Sequence, residues 1–177
     1  MSLFKPRSSF FAASLALGGL LALAGCQVRP LYATGPGGGS AALTQPISIN
    51  EVTSRYAQEV RNHLIFALNG GAGEPADVAY TLELGVTKRV TTVAAITPAT
   101  GESRPTAGGV VLTSNYTISE AATGSQVATG VREANASFDR PRQQFAQLRA
   151  ERDAEDRAAR ELAEALKLAI AADLAGK

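Results

Sequence analysis

The chain has 177 residues, 45% of them apolar, with seventeen basic side chains against sixteen acidic ones, one histidine and one cysteine. That balance leaves no electrostatic footprint for general nucleic-acid binding; one cysteine excludes an internal disulfide, and one histidine beside it gives too few soft ligands for a zinc centre. Without its first 25 residues the chain keeps about 150, enough for one domain burying ~70% of its unfolded surface and too few for two independent ones.

The head of the chain reads as an address. Lys5 and Arg7 precede an apolar run from Phe10 to Leu23, and Ala22, Ala24 and Gly25 supply the small residues of a secretory cleavage site. At about 15 residues the run falls short of the ~20 that a spanning helix needs. Leu23-Ala24-Gly25-Cys26 resembles the lipobox of bacterial lipoproteins. The resemblance implies a diacylated Cys26 thiol, a cut just before Cys26 and an acylated new amine, so that several fatty chains anchor what one would hold only marginally. Residues 1–25 are accordingly expected to be a lipoprotein signal peptide. Its removal takes Lys5 and Arg7, leaving fifteen basic residues against sixteen acidic ones, a net charge of −1. Gln27, rather than Asp, in the second mature position points by the same resemblance to the outer membrane. Residues 26–45 contain Gly35-Pro36-Gly37-Gly38-Gly39-Ser40 and read as a flexible tether averaging ~25 Å.

Ile47 to Val52 begins with alternation and predicts a short strand. Thr53 or Ser54 then offers an N-cap; Tyr56, Val60, Leu64 and Leu68 form a helical stripe, and Asn69-Gly70-Gly71 ends it. Tyr80, Leu82, Leu84 and Val86 share one face of a strand whose continuation in phase would bring Lys88 onto the apolar side. Pro98 to Gly109 reads as a loop. Val110 to Ala121 and Gln126 to Phe138 read as a hairpin turning at Ala122-Thr123-Gly124-Ser125, with a bulge near Gly130 or Arg132 to reconcile Val127 and Val131 with Ala134, Ala136 and Phe138. After Pro141 the pattern is helical. Its front pairs Asp153 with Arg157 and Asp156 with Arg160 at i, i+4, and its back carries Ala158, Leu162, Ala165, Leu166, Ala169, Ile170 and Leu174 as a core stripe. The expected fold for residues 46–177 is α+β, in the order β-α-β-β-β-α, with two helices on one face of a four-stranded sheet.

Reactive groups are sparse. His63 stands between helix residues Asn62 and Leu64; Gly101-Glu102-Ser103-Arg104-Pro105 lacks the final glycine of a nucleophile elbow. Gly37-Gly38-Gly39 is not followed by the Lys-Ser/Thr of a phosphate loop. Asp153, Glu155 and Asp156 lie among arginines and read as a solvated salt-bridge lattice. A hydrolase using Ser103 or Ser114 with His63 is the enzymatic alternative, and a non-catalytic protein without cofactor or metal is the expectation.

These residues together resemble the LptE family of lipopolysaccharide-assembly lipoproteins in its alphaproteobacterial form. The resemblance is carried by Gly25-Cys26 followed by Arg29-Pro30-Leu31-Tyr32, by Tyr56 to Leu64, and by Leu148-Arg149-Ala150-Glu151-Arg152-Asp153-Ala154-Glu155-Asp156-Arg157-Ala158-Ala159. It implies a domain seated in the LptD β-barrel as plug and assembly partner, facing the periplasm from a lipid anchor in the outer membrane, while lipopolysaccharide passes to the outer leaflet. Lipid A is anionic, so Lys88, Arg89, Arg104 and Arg132, on or between strands, are the candidate lipopolysaccharide contacts. The alternative is a periplasmic auxiliary lipoprotein of a lipid-transport ABC system.

Overall fold

A computed structural model describes residues 46–71, 73–97, 99, 101 and 103–175. The signal peptide, the lipobox with Cys26, the tether and Gly176 lie outside them. The elements follow the expected order: β1 (Ile47–Ile49), α1 (Arg55–Asn69), β2 (Tyr80–Ile96), β3 (Arg104–Glu120), β4 (Gln126–Asp139) and α2 (Gln144–Ala175). The sheet runs β1-β2-β3-β4, with β1 parallel to β2 and the other pairs antiparallel.

Local chemistry sets the helix limits. The Ser54 hydroxyl accepts from Ala57 N, which decides the cap between Thr53 and Ser54, and Gly70 closes α1 in the left-handed conformation at φ 59° with its N–H on Phe66 O. Between those ends Ala57, Val60 and Leu64 are buried. In α2 the buried stripe is wider than the sequence pattern suggested, adding Ala154, Ala159, Ala163 and Ala171 while Ala165 is only partly buried. So many alanines let the long helix lie close to both α1 and the sheet.

The strand register puts Leu82, Leu84 and Val86 beside Ile118, Tyr116 and Ser114, and these in turn beside Ala128, Gly130 and Arg132. Even-numbered side chains of β2, β3 and β4 therefore face the helices, where Leu82, Leu112, Ile118, Leu162, Leu166 and Ile170 make the core. Two cross-strand pairs set an aromatic ring over a glycine. A Cβ on Gly130 would stand 2.6 Å from Tyr116 Oη, and one on Gly108 would stand 2.6 Å from Phe138 Cζ. Only glycine leaves room for the rings to lie flat across the neighbouring strand.

Two expectations are corrected. β3 starts at Arg104, so residues 104–109 are strand rather than loop; they pair with the far end of β2, and the irregular register between Thr92 and Ala95 accommodates Pro105 opposite Ala95. The β4 bulge lies at Val127, skipped between Ile118↔Ala128 and Ser119↔Gln126, and not near Gly130 or Arg132. Val131 consequently keeps its odd-numbered phase and points away from the core, 55% exposed. None of the helices described is long and apolar enough to cross a membrane.

Candidate functional site

Three features stand out beyond the core: a buried carboxylate, an arginine-lined groove and an open sheet face. Glu155 is only 5% exposed, which corrects the reading of Asp153, Glu155 and Asp156 as a uniformly solvated lattice. Its two oxygens take Arg55 Nη1 at 2.5 Å and Lys88 Nζ at 2.8 Å, so one side chain of α2 ties down both α1 and β2. Asp156 takes Arg55 Nη2 at 2.7 Å, in place of the expected Arg160, whereas Asp153 does pair with Arg157 at 2.9 Å. The bond to Glu155 raises the Lys88 pKa against the opposing effect of burial. Arg55 is raised in the same way, chiefly by Asp156. The Tyr56 ring, its centroid 5.9 Å from Lys88 Nζ, completes this cluster.

The groove lies at the junction of three elements. Arg104 and Pro105 from the start of β3, Arg140, Pro141 and Arg142 from the β4–α2 connection, and Gln147 from α2 enclose about 520 Å³. Arg140 is fixed from two sides: its Nη2 donates to Thr91 O at 3.2 Å, and its guanidinium lies 5.5 Å from the Phe138 ring centroid. Its buried Nε has no hydrogen-bond partner. Among the described residues no acid lines this groove, and the first turn of α2 beside it holds none. Three guanidiniums without a carboxylate among them make a place for an anion, since guanidinium forks match phosphate and carboxylate oxygens.

The third feature is the sheet face turned away from the helices. It presents Thr87, Arg89, Thr113, Asn115, Thr117, Thr129, Glu133, Asn135 and Ser137, with Thr113 donating to Glu133 at 3.0 Å. No described element packs on it. A half-exposed antiparallel sheet needs such a polar side to stay in contact with water.

The four candidate cations do not form one patch. Lys88 is on the helix side, its side chain 28% exposed and its ammonium held by Glu155 and Glu151, so an anionic ligand would have to compete with two carboxylates. Arg89 is exposed on the opposite face, and Arg132 at the β4 edge donates to Val131 O at 2.7 Å. Only Arg104 reaches the groove. Its companions Arg140 and Arg142 were missed in the sequence, where the signal is Arg140-Pro141-Arg142: two guanidiniums flanking a proline at a strand-to-helix junction. Ser114, one candidate nucleophile, is completely buried and out of reach of a substrate. His63 is partly buried on α1, and among the described residues no group of three or more His, Cys, Asp or Glu side chains could hold a metal.

Known structures share this architecture. A chain of Caulobacter crescentus CB15 described as a lipoprotein is 25% identical and superimposes with a TM-score of 0.64, covering 79% of this chain and 100% of its own. A minor lipoprotein of Acinetobacter baumannii, 17% identical, gives 0.54 over 72% of this chain and 89% of that one. The rare lipoprotein B of Shewanella oneidensis, 15% identical, gives 0.50 over 72% and 93%. The last two show the fold alone. No curated protein sequence matches the chain. Residues 44–170, which take in every element but the last residues of α2, match the family LptE, lipopolysaccharide-assembly, and the chain belongs to that family.

Proposed function

We propose that this protein is a non-catalytic lipoprotein of the outer membrane, anchored through acylated Cys26, that seats in an LptD-like β-barrel and helps to assemble it for lipopolysaccharide transport. Family membership supplies lipopolysaccharide assembly as the setting. The observation that carries the rest is the two-sidedness of the sheet. Both helices close one side into a dry core, and the other side is mainly threonine, serine and asparagine, with Val131 exposed among them, a face suited to a wet lumen. This face supplies polar groups without a reactive constellation, which suits fitting and guiding rather than bond breaking.

In this reading the arginine groove meets the phosphates of lipid A. Arg104 is the one original candidate in that position, Arg140 and Arg142 join it, and Arg89 is a further contact on the open face. Lys88 serves the Glu155 cluster first. In the same reading the signal peptide over residues 1–25 is removed, and the tether over 26–45 holds the domain on a leash at the periplasmic side of the membrane.

Extraction of native membranes in mild detergent tests the proposal. The protein is expected to be recovered together with a large β-barrel. Recovery alone at native expression, or together with an inner-membrane permease, would contradict it.

A further inference from the structure

The two edges of the sheet are protected unequally. Along β4 the outward carbonyls of Val131 and Ser137 are occupied by Arg132 Nη1 at 2.7 Å and Arg157 Nη2 at 2.8 Å. Glu133 and Asp139 add charge there, so this edge is guarded in the usual way of exposed strands. The other edge belongs to β2. β1 pairs with Tyr80, Thr81 and Leu82 only, and its track ends where Asn50 N donates to Leu82 O at 2.9 Å.

That bond also fixes the phase. If Leu82 turns its carbonyl away from β3, so do the even-numbered residues after it, because the register with β3 is unbroken as far as Thr92. Val86, Lys88 and Val90 therefore present their N–H and C=O groups to the track that β1 leaves empty. Among the described residues no backbone group pairs with them. The register shifts after Thr92 break the regular alternation of outward groups and limit the usable edge. Its free charge is one-sided: Lys88 is taken up by Glu155 and Glu151 on the helix side, which leaves exposed Arg89 as the cation on the open face, and after Glu83 no acidic residue occurs in the strand up to Ile96.

We propose that β2 from Val86 to Thr92 is a docking edge for an extended acidic segment of another protein, which adds to the sheet as a strand in line with β1. The backbone groups provide the general attraction in such strand addition, and side-chain pairs provide the choice of guest. A guest carboxylate opposite Arg89 on the open face forms a favourable cross-strand pair. On the helix side Val90, 38% exposed, and the Tyr56 ring offer apolar contact. A second copy of this chain is a poorer occupant, because antiparallel self-pairing centred on Arg89 sets that cation against its own counterpart, and no other register within Val86 to Thr92 brings it a carboxylate.

Amide hydrogen exchange on the full chain tests this, using as probe a short acetylated peptide of alternating valine and threonine with one central glutamate, and a control with lysine in its place. The glutamate peptide is expected to slow exchange at Val86, Lys88 and Val90 by about tenfold or more and to bind about tenfold more tightly than the lysine peptide. Val90→Pro, which deletes an outward N–H, is expected to abolish that protection. Arg89→Glu, a change at an exposed side chain, is expected to reverse the preference between the peptides. Protection confined to β4, equal binding of both peptides, or slow exchange of the three amides without peptide in a concentration-dependent dimer would each overturn the proposal.

Discussion

Tyr116 shows how much one side chain does here. It is 2% exposed, lies across Gly130, and its hydroxyl donates to Asp173 Oδ2 at 2.7 Å, linking the middle of the sheet to the last turns of α2. Burial first, and the Asp173 carboxylate second, push its pKa from 10.0 up to about 12. The protonated phenol is the form that the fold prefers, so its contribution is fully present below pH 10 and is lost as pH rises towards 12. Two units of separation between folded and unfolded chains correspond to roughly 3 kcal/mol over that window. Urea unfolding followed from pH 7 to pH 12 is therefore expected to show a steep alkaline fall in the native protein and a shallower one in Tyr116→Phe. The variant should lose about 1–2 kcal/mol at pH 7 with its hydrogen bond. Lys88, also raised, titrates at the alkaline end in both proteins, so the difference between the curves isolates the tyrosine. Parallel curves would mean that the phenol is not held as described.

At the scale of elements, the strand-to-helix junction is the most informative. β4 ends at Asp139 and α2 begins at Gln144, and within that gap Arg140 and Arg142 are turned beside Arg104 of β3. Arg140 is partly structural through Thr91 O, whereas Arg104 and Arg142 are exposed and can be reversed without opening the core. The pair Arg104→Glu and Arg142→Glu is expected to weaken binding to lipopolysaccharide by about tenfold or more, on the basis of about 1.5–3 kcal/mol for a charged hydrogen bond. The thermal midpoint should stay within a few degrees of the native value. Unchanged binding, measured by calorimetry against lipopolysaccharide micelles, would move the contact away from the groove.

The same elements show what a sequence discloses. Periodicity is local, so the α1 stripe, a cap at Thr53 or Ser54, the Gly70 stop and the Tyr80–Val86 strand were legible from neighbours a few positions apart. Arg104 to Gly109 was not, because a proline and two glycines carry a loop signal and become strand only through pairing with the far end of β2. The bulge at Val127 was misplaced for a related reason: register is a property of two strands, and Val131 turned out to be an exposed valine rather than a displaced core residue. The burial of Glu155 and the union of Arg104 with Arg140 and Arg142 depend on residues 36 to 100 positions apart meeting, which no spacing rule contains.

For the molecule as a whole, function follows from asymmetry. The helices and Glu155 lock one side of the sheet, the open side is mainly polar, the arginine groove sits at one end, and among the described residues the β2 edge keeps unpaired backbone groups. In the proposed function, a protein of this build acts by being fitted into something larger. Photo-crosslinking in living cells, with a photoreactive residue at Thr113 or Asn135 on the open face, measures that most directly. The account predicts a covalent adduct with an outer-membrane β-barrel protein at these positions. Adducts formed only with soluble periplasmic proteins or with an inner-membrane permease would contradict it.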